Sequence, residues 1–182
     1  MSSIMEVVDF SSDLMDSILA VIDGKSQKET VRRVIHAFAE AGLPIKVKRY
    51  FLPELKDTFR VLCFIKKSSE AVIMNTDGFG AEGMTLQMRL LNDTSFARLD
   101  ALSEGIRHQI IHAGDCQYCS IKCGDKRYSF TYDNVAYTKC QFLCSNFRLK
   151  IANGNDVESV MALVQGELDF AATKKRGKKS PT

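Results

Sequence analysis

The chain has 182 residues, 45% hydrophobic and 26% charged, which excludes disorder throughout; 11 Gly and 3 Pro exclude a collagen-like chain. That length gives one domain, or one domain with an appended module, large enough to bury a core. The net charge is +3, but five basic residues lie in the last nine positions, and the body carries 20 basic against 22 acidic residues.

Met1 to Phe10 holds Glu6 and Asp9 and has neither a basic start nor a long apolar run, so it does not read as a secretory signal. No apolar stretch is long enough to span a membrane, and a cytoplasmic protein is expected. Ser12 to Ile22 repeats apolar residues at helical spacing (Leu14, Met15, Ile18, Leu19, Ile22), with Gly24 as the stop. Ser26-Gln27-Lys28-Glu29 fits a capping box for a second helix. Its stripe is Val31, Val34, Ile35 and Phe38, and Gly42 with Pro44 ends it. His36 flanks that stripe and is expected to be structural. Lys28, Arg32 and Arg33 invite a helix-turn-helix reading. The turn Asp23-Gly24-Lys25 lacks an apolar residue after the Gly, which favours an ordinary helical hairpin.

From Ile45 the period changes to two. Ile45 and Val47 alternate with Lys46 and Lys48, and Phe59 to Ile65 is strongly apolar. The polar cluster from Lys66 to Glu70 then separates two strands of a hairpin, the second being Ala71 to Met74. Gly78-Phe79-Gly80-Ala81-Glu82-Gly83 matches G-x-G-x-x-G, with Asp100 further on. The context of a dinucleotide site is missing: a hairpin precedes it and no βαβ alternation follows. A loop is expected there, and a strand over Met84 to Leu91.

Asp93 or Thr94 caps an expected helix from Ser95 to Ala113, with Phe96, Leu99, Leu102, Ile106 and Ile110 facing the core. His108 and His112 lie about 200° from Ile110 on the helical wheel, on the solvent side. Tyr128, Phe130 and Tyr132 alternate with polar residues in a strand, and Asp133-Asn134 fits a two-residue hairpin turn. The chain returns from Val135 to Leu143, a further strand is expected over Phe147 to Ile151, and a last helix begins near Asn155 with the stripe Val157, Val160, Met161, Val164 and Leu168. The whole reads as one α+β domain over 1–172. It has an antiparallel sheet, an N-terminal helical pair, a central helix, a cysteine-rich zinc-ribbon-like hairpin over 115–145 and a C-terminal helix. Residues 173–182 are expected to be a disordered basic tail, able to touch nucleic acid or an acidic surface weakly and in a salt-dependent way.

Cysteine carries the chemistry in this sequence. Cys116, Cys119, Cys123, Cys140 and Cys144 fall within 29 residues, and a cytosolic setting favours metal binding over a disulfide framework. Zn²⁺ takes four thiolate or imidazole ligands in a tetrahedron. Two Cys two residues apart can turn toward one ion, and a returning strand can bring another ligand. Four thiolates on Zn²⁺ leave a local charge of −2, which Lys122, Lys126, Arg127 and Lys139 would offset. With Tyr132 opposite Val135, the register sets Arg127 against Cys140 and Cys123 against Cys144. Ideal register thus favours Cys144 as the closing ligand, while a bulge admits Cys140. An Fe–S cluster fits less well, because C-x2-C-x3-C without a following Pro departs from the ferredoxin run. His112 is a minor substitute ligand, and a redox dithiol at Cys116 and Cys119 is a further alternative.

The segment from about 84 to 168 resembles a loosely defined group of small bacterial proteins. The likeness rests on the Cys116–Cys119 knuckle, the alternating Tyr128, Phe130 and Tyr132, and Tyr137 and Cys140 on the return. It implies a metal-dependent fold in which the returning ligand sits at Cys140, so the expected zinc ligands are Cys116, Cys119, Cys123 and Cys140. It implies no activity.

No Ser elbow, H-E-x-x-H or P-loop Lys is present, and a four-cysteine zinc site has no open position for water. The expected function is therefore a non-enzymatic binding or regulatory protein with a structural zinc site. The alternatives are a zinc-dependent nucleic-acid-binding accessory protein, and a thiol redox protein or enzyme using Cys116 and Cys119.

Overall fold

A computed structural model describes residues 4–8, 10–51, 57–66, 69–76, 84–90, 93–113, 127–140 and 147–176. The fold is α+β. A six-stranded antiparallel sheet runs in the order β1-β2-β3-β4-β5-β8, and a separate two-stranded sheet is formed by β6 and β7. The strands of the large sheet are β1 (Ile4–Val8), β2 (Ile45–Phe51), β3 (Thr58–Lys66), β4 (Ser69–Asn75), β5 (Thr85–Met88) and β8 (Phe147–Leu149). The small sheet pairs β6 (Arg127–Tyr132) with β7 (Val135–Cys140). The first five strands of the large sheet are successive neighbours, and β8 joins the far edge after the chain has made the central helical region and the small hairpin.

The α-helices are α1 (Ser12–Ala20), α2 (Lys25–Glu40), α3 (Glu104–Ile111) and α4 (Gly154–Arg176). Alternation decides which side of the sheet they cover. Val47, Phe59, Val61, Cys63, Val72, Met74, Leu86, Met88, Phe147 and Leu149 face one way and share a core with residues of all four helices. Phe38, Ile18, Ile35, Ile106 and Ile110 anchor the helical side of that core. Leu62, Phe64 and Ile73 form a separate cluster on the opposite face of the sheet. No helix among the described residues is long and apolar enough to cross a membrane.

Most of the expected elements are present, and the differences have local causes. The first helix ends at Ala20, with Val21 as its C-cap. Gly24 instead opens α2: it takes the extended N-cap position (φ −76, ψ 131) and has no side chain to cap with, so the expected capping box is absent. Ser26 lies inside the first turn, where its carbonyl accepts from the Thr30 hydroxyl at 2.8 Å. The other end of α2 follows expectation. Gly42 takes φ +61, its N–H donates to the Ala39 carbonyl, and the Leu43 N–H donates to the Phe38 carbonyl, both at 2.9 Å. This doubly bonded left-handed stop needs a residue without a Cβ. His36 is exposed and pairs with Glu40 at 3.2 Å, so it supports the helix surface and not the core.

The expected central helix is two pieces, a 3₁₀ segment (Asp93–Ala101) followed by α3. Phe96, Leu99 and Leu102 recur at three residues, Ile106 and Ile110 at four, and all five are buried. Three-residue spacing puts side chains in line on a 3₁₀ turn, and four-residue spacing suits an α-helix. Ser103 stands between the two pieces in extended backbone (φ −55, ψ 149), and its hydroxyl accepts from the Ile106 N–H at 3.3 Å. Strand β1 was not foreseen; it pairs antiparallel with β2 from Ile4↔Phe51 to Val8↔Val47. The last helix continues through Arg176, so Lys174 to Arg176 of the basic run are helical.

A buried polar knot joins the starts of α3 and α4. The Asn153 side-chain oxygen accepts from the Asp156 N–H at 3.1 Å, capping α4. The buried Asp156 carboxylate accepts from the Ala152 N–H at 2.9 Å and from the Ser103 hydroxyl at 2.6 Å. The Ser103 N–H donates to the Ser159 hydroxyl at 2.7 Å. One carboxylate thus serves the positive ends of two helices. Alongside, the Gln109 amide donates to the Lys150 carbonyl at 3.1 Å and accepts from the Lys150 N–H at 2.7 Å, as a strand neighbour would.

Candidate metal centre

Of the four expected zinc ligands, Cys116, Cys119 and Cys123 lie outside the described residues, as do Cys144 and the Gly78–Gly83 loop. Cys140 is the last residue of β7. Among the described residues no group of three or more His, Cys, Asp or Glu could hold a metal ion. What the structure describes is the frame on either side of the cysteine segment.

That frame starts from the hairpin register. Tyr132 pairs with Val135, and the ladder runs back without a bulge to Arg127↔Cys140, so within the described strands the register alone favours Cys144 and the case for Cys140 rests on other grounds. Asp133 and Asn134 both take positive φ, 48 and 61, the turn that matches strand twist in a two-residue hairpin. Both residue types tolerate this region better than most, which is how the sequence sets the register.

Aromatic packing seats the hairpin on the 3₁₀ segment. The Phe130 ring stacks on Phe96, centroids 4.4 Å apart at 7°, and Tyr137, its cross-strand partner, stacks on Phe130 at 5.4 Å. Phe147 meets Phe96 edge-on at 5.9 Å, linking the pile to strand β8. Desolvation raises the Tyr132 phenol above its ordinary pKa, a hydrogen bond to Asp100 adds to the rise, and Arg107 opposes it. The Arg107 guanidinium lies 5.8 Å from the Tyr132 ring centroid.

A single hydrogen bond ties the two ends of the frame. The Lys139 ammonium donates to the Ala113 carbonyl at 2.6 Å. Ala113 follows the end of α3, three residues before Cys116, and Lys139 precedes Cys140. His108 and His112 are exposed on α3, as the helical wheel indicates, with rings stacked 4.0 Å apart. Cys63 is different: it sits fully buried in β3, a free thiol whose pKa burial pushes up, a core residue without metal-binding character.

Comparison with protein-family models, with curated proteins and with solved structures found no match to this chain.

One polar feature left no mark in the sequence reading. On the sheet face opposite the helices, Lys48, Arg60, Asn75 and Thr85 are successive register partners across β2, β3, β4 and β5. Lys46, Leu62, Ile73, Gln87 and Arg148 form the next row. Alternation around Val47 and Phe59 signalled that such a face exists. No local pattern shows which distant residues become neighbours on it.

Proposed function

We propose that this chain is a non-enzymatic binding or regulatory protein whose cysteine segment is ordered by one structural zinc ion, with Cys116, Cys119, Cys123 and Cys140 as ligands. The Lys139–Ala113 hydrogen bond carries this reading. It holds the departure of the cysteine segment from α3 beside the strand that ends in Cys140. Three residues span at most about 10 Å, so the chain between Ala113 and Cys116 is long enough for Cys116 to meet Cys140 at one ion. The residues fit the ion chemically: thiolates suit Zn²⁺, and Lys122, Lys126 and Arg127 lie close in sequence to balance the charge. A fully thiolate-bound ion leaves no position for water, so its contribution is to order the segment. In small finger peptides such an ion contributes apparent binding free energy of about 10–16 kcal/mol.

Elemental analysis of protein made under reducing, zinc-replete conditions should find about one zinc per chain. Cys119→Ser should lose the metal and the amide protection of β6 and β7, with the large sheet and its helices still folded. Absence of both zinc and iron, or a Cys116–Cys119 disulfide in freshly lysed cells, would overturn the proposal, and the disulfide would favour thiol redox chemistry.

A further inference from the structure

Two histidines of α3 have no part in the core or in the proposed cysteine site. His108 lies in the last turn of α3 and His112 is its C-cap, and the His112 N–H donates to the His108 carbonyl at 2.9 Å. Helical spacing therefore holds between these two positions, which sets their side chains over one patch of the helix surface. Both are exposed, and their rings lie face to face, centroids 4.0 Å apart at 12°. Among the described residues neither imidazole is engaged in a hydrogen bond or an ion pair. His36 differs: it is paired with Glu40 and has no histidine one turn away.

Imidazole suits Zn²⁺, Ni²⁺ and Cu²⁺, and two of them one helical turn apart can grip a single ion. Two nitrogens bound to one tetrahedral Zn²⁺ at about 2.1 Å lie about 3.4 Å from each other. The ring separation of 4.0 Å is already close to that. Parallel rings must each turn about the Cβ–Cγ bond to aim a nitrogen at a shared ion. That torsion is broad for histidine, and exposed side chains cross it quickly. Charge around the pair is mixed. Glu104 is exposed one turn before His108, and the C-terminal end of the helix adds partial negative charge. Against these, Arg107 lies over the Tyr132 ring and Lys139 is bonded to the Ala113 carbonyl. Donor chemistry, and not a strong field, selects the ion.

We infer that His108 and His112 form a metal site of their own, chelating one divalent transition ion of the zinc class through two imidazole nitrogens. The rest of the coordination shell is left to water, so this ion exchanges freely, unlike one enclosed by four thiolates. The inference does not rest on the zinc proposal for the cysteines.

Titration of reduced, zinc-replete protein with further Zn²⁺, followed by the imidazole ¹⁵N signals, tests it. His108 and His112 should shift together, at a zinc concentration about tenfold or more below the one that shifts His36. His108→Gln alters only an exposed side chain and should leave the fold intact. It should raise the zinc concentration needed to shift His112 by about tenfold or more, and His112→Gln should do the same to His108. Cys119→Ser should leave the joint shift of the two histidines as in wild type. The inference is overturned if His108 and His112 shift no earlier than His36, or if either keeps its wild-type midpoint when the other is replaced. It is also overturned if the joint shift disappears in Cys119→Ser, or if His112 responds alone, which would make His112 a ligand of an ion held by the cysteines.

Discussion

The large sheet and the small hairpin are held by different means. The sheet presents a continuous apolar face to four helices, and its central residues, among them Val47, Val61, Met74 and Leu86, are almost wholly buried, as is Phe38 of α2 against them. The hairpin has six residues per strand, with Phe130, Tyr132 and Tyr137 only partly buried and Val135 half exposed. Among the contacts that seat it are a stacked ring pair, a lysine hydrogen bond, the Tyr132–Asp100 hydrogen bond and Arg107 against the Tyr132 ring. An isolated two-stranded hairpin is marginal in water. The comparison sets a region held by burial on a wide apolar face against one held by a few partly exposed contacts.

Removing a ring from each region should separate the two. Phe38→Ala deletes a fully buried side chain from α2. It should cost about 3–5 kcal/mol and lower the denaturation midpoint of helices and large sheet together. Urea melts followed by circular dichroism check this; a loss confined to α2 would mean that the sheet and helices do not unfold as one unit.

Phe130→Ala takes away the ring that stacks with both Phe96 and Tyr137. Its partial burial and stacking make the expected cost about 1–2 kcal/mol. Amide exchange should quicken in β6 and β7 while β3 and β4 keep their wild-type protection. Equal loss of protection in both regions would show the hairpin to be an integral part of the main core.

The smallest effect lies on the surface between α2 and α4. Arg33 and Glu158 form a bidentate pair. The hydrogen bond to Arg33 lowers the Glu158 pKa, against an opposing desolvation effect. The contribution is therefore fully present above the unfolded carboxylate range and is lost as pH falls through the folded value. Glu158→Gln should lower the melting temperature at pH 7 by no more than about 1–2 °C, with the difference from wild type vanishing in acid. A pH-independent difference would assign the effect to packing of the side chain.

Local signals foretold the parts of the fold that local physics decides. The α2 stripe Val31, Val34, Ile35 and Phe38 is buried as its spacing requires, and Asp133-Asn134 set the hairpin register without any tertiary information. The break at Ser103 was present in the sequence as a change of spacing from three to four, hidden because one long helix also buries the same residues. Strand β1 was not legible, because five residues at an edge gain their order from β2, which is nearly forty positions away. Beside the cysteine segment, the Arg127↔Cys140 pairing was legible. The Lys139–Ala113 link was not, since it depends on how the hairpin docks. The polar row on the opposite sheet face is non-local throughout, assembled from four strands.

The Ser103–Asp156 bond has a consequence for how this chain can change its length. It joins residues 53 positions apart, and Gln109 grips Lys150 beside it, so the whole excursion through the cysteines and the hairpin begins and returns at one clasp. Closing a loop becomes only slowly harder with its length, by about 0.6 kcal/mol for each doubling. With the clasp intact, the excursion can be lengthened, trimmed or exchanged for another module while β5 and β8 keep their places, making this end of the sheet a natural point for grafting.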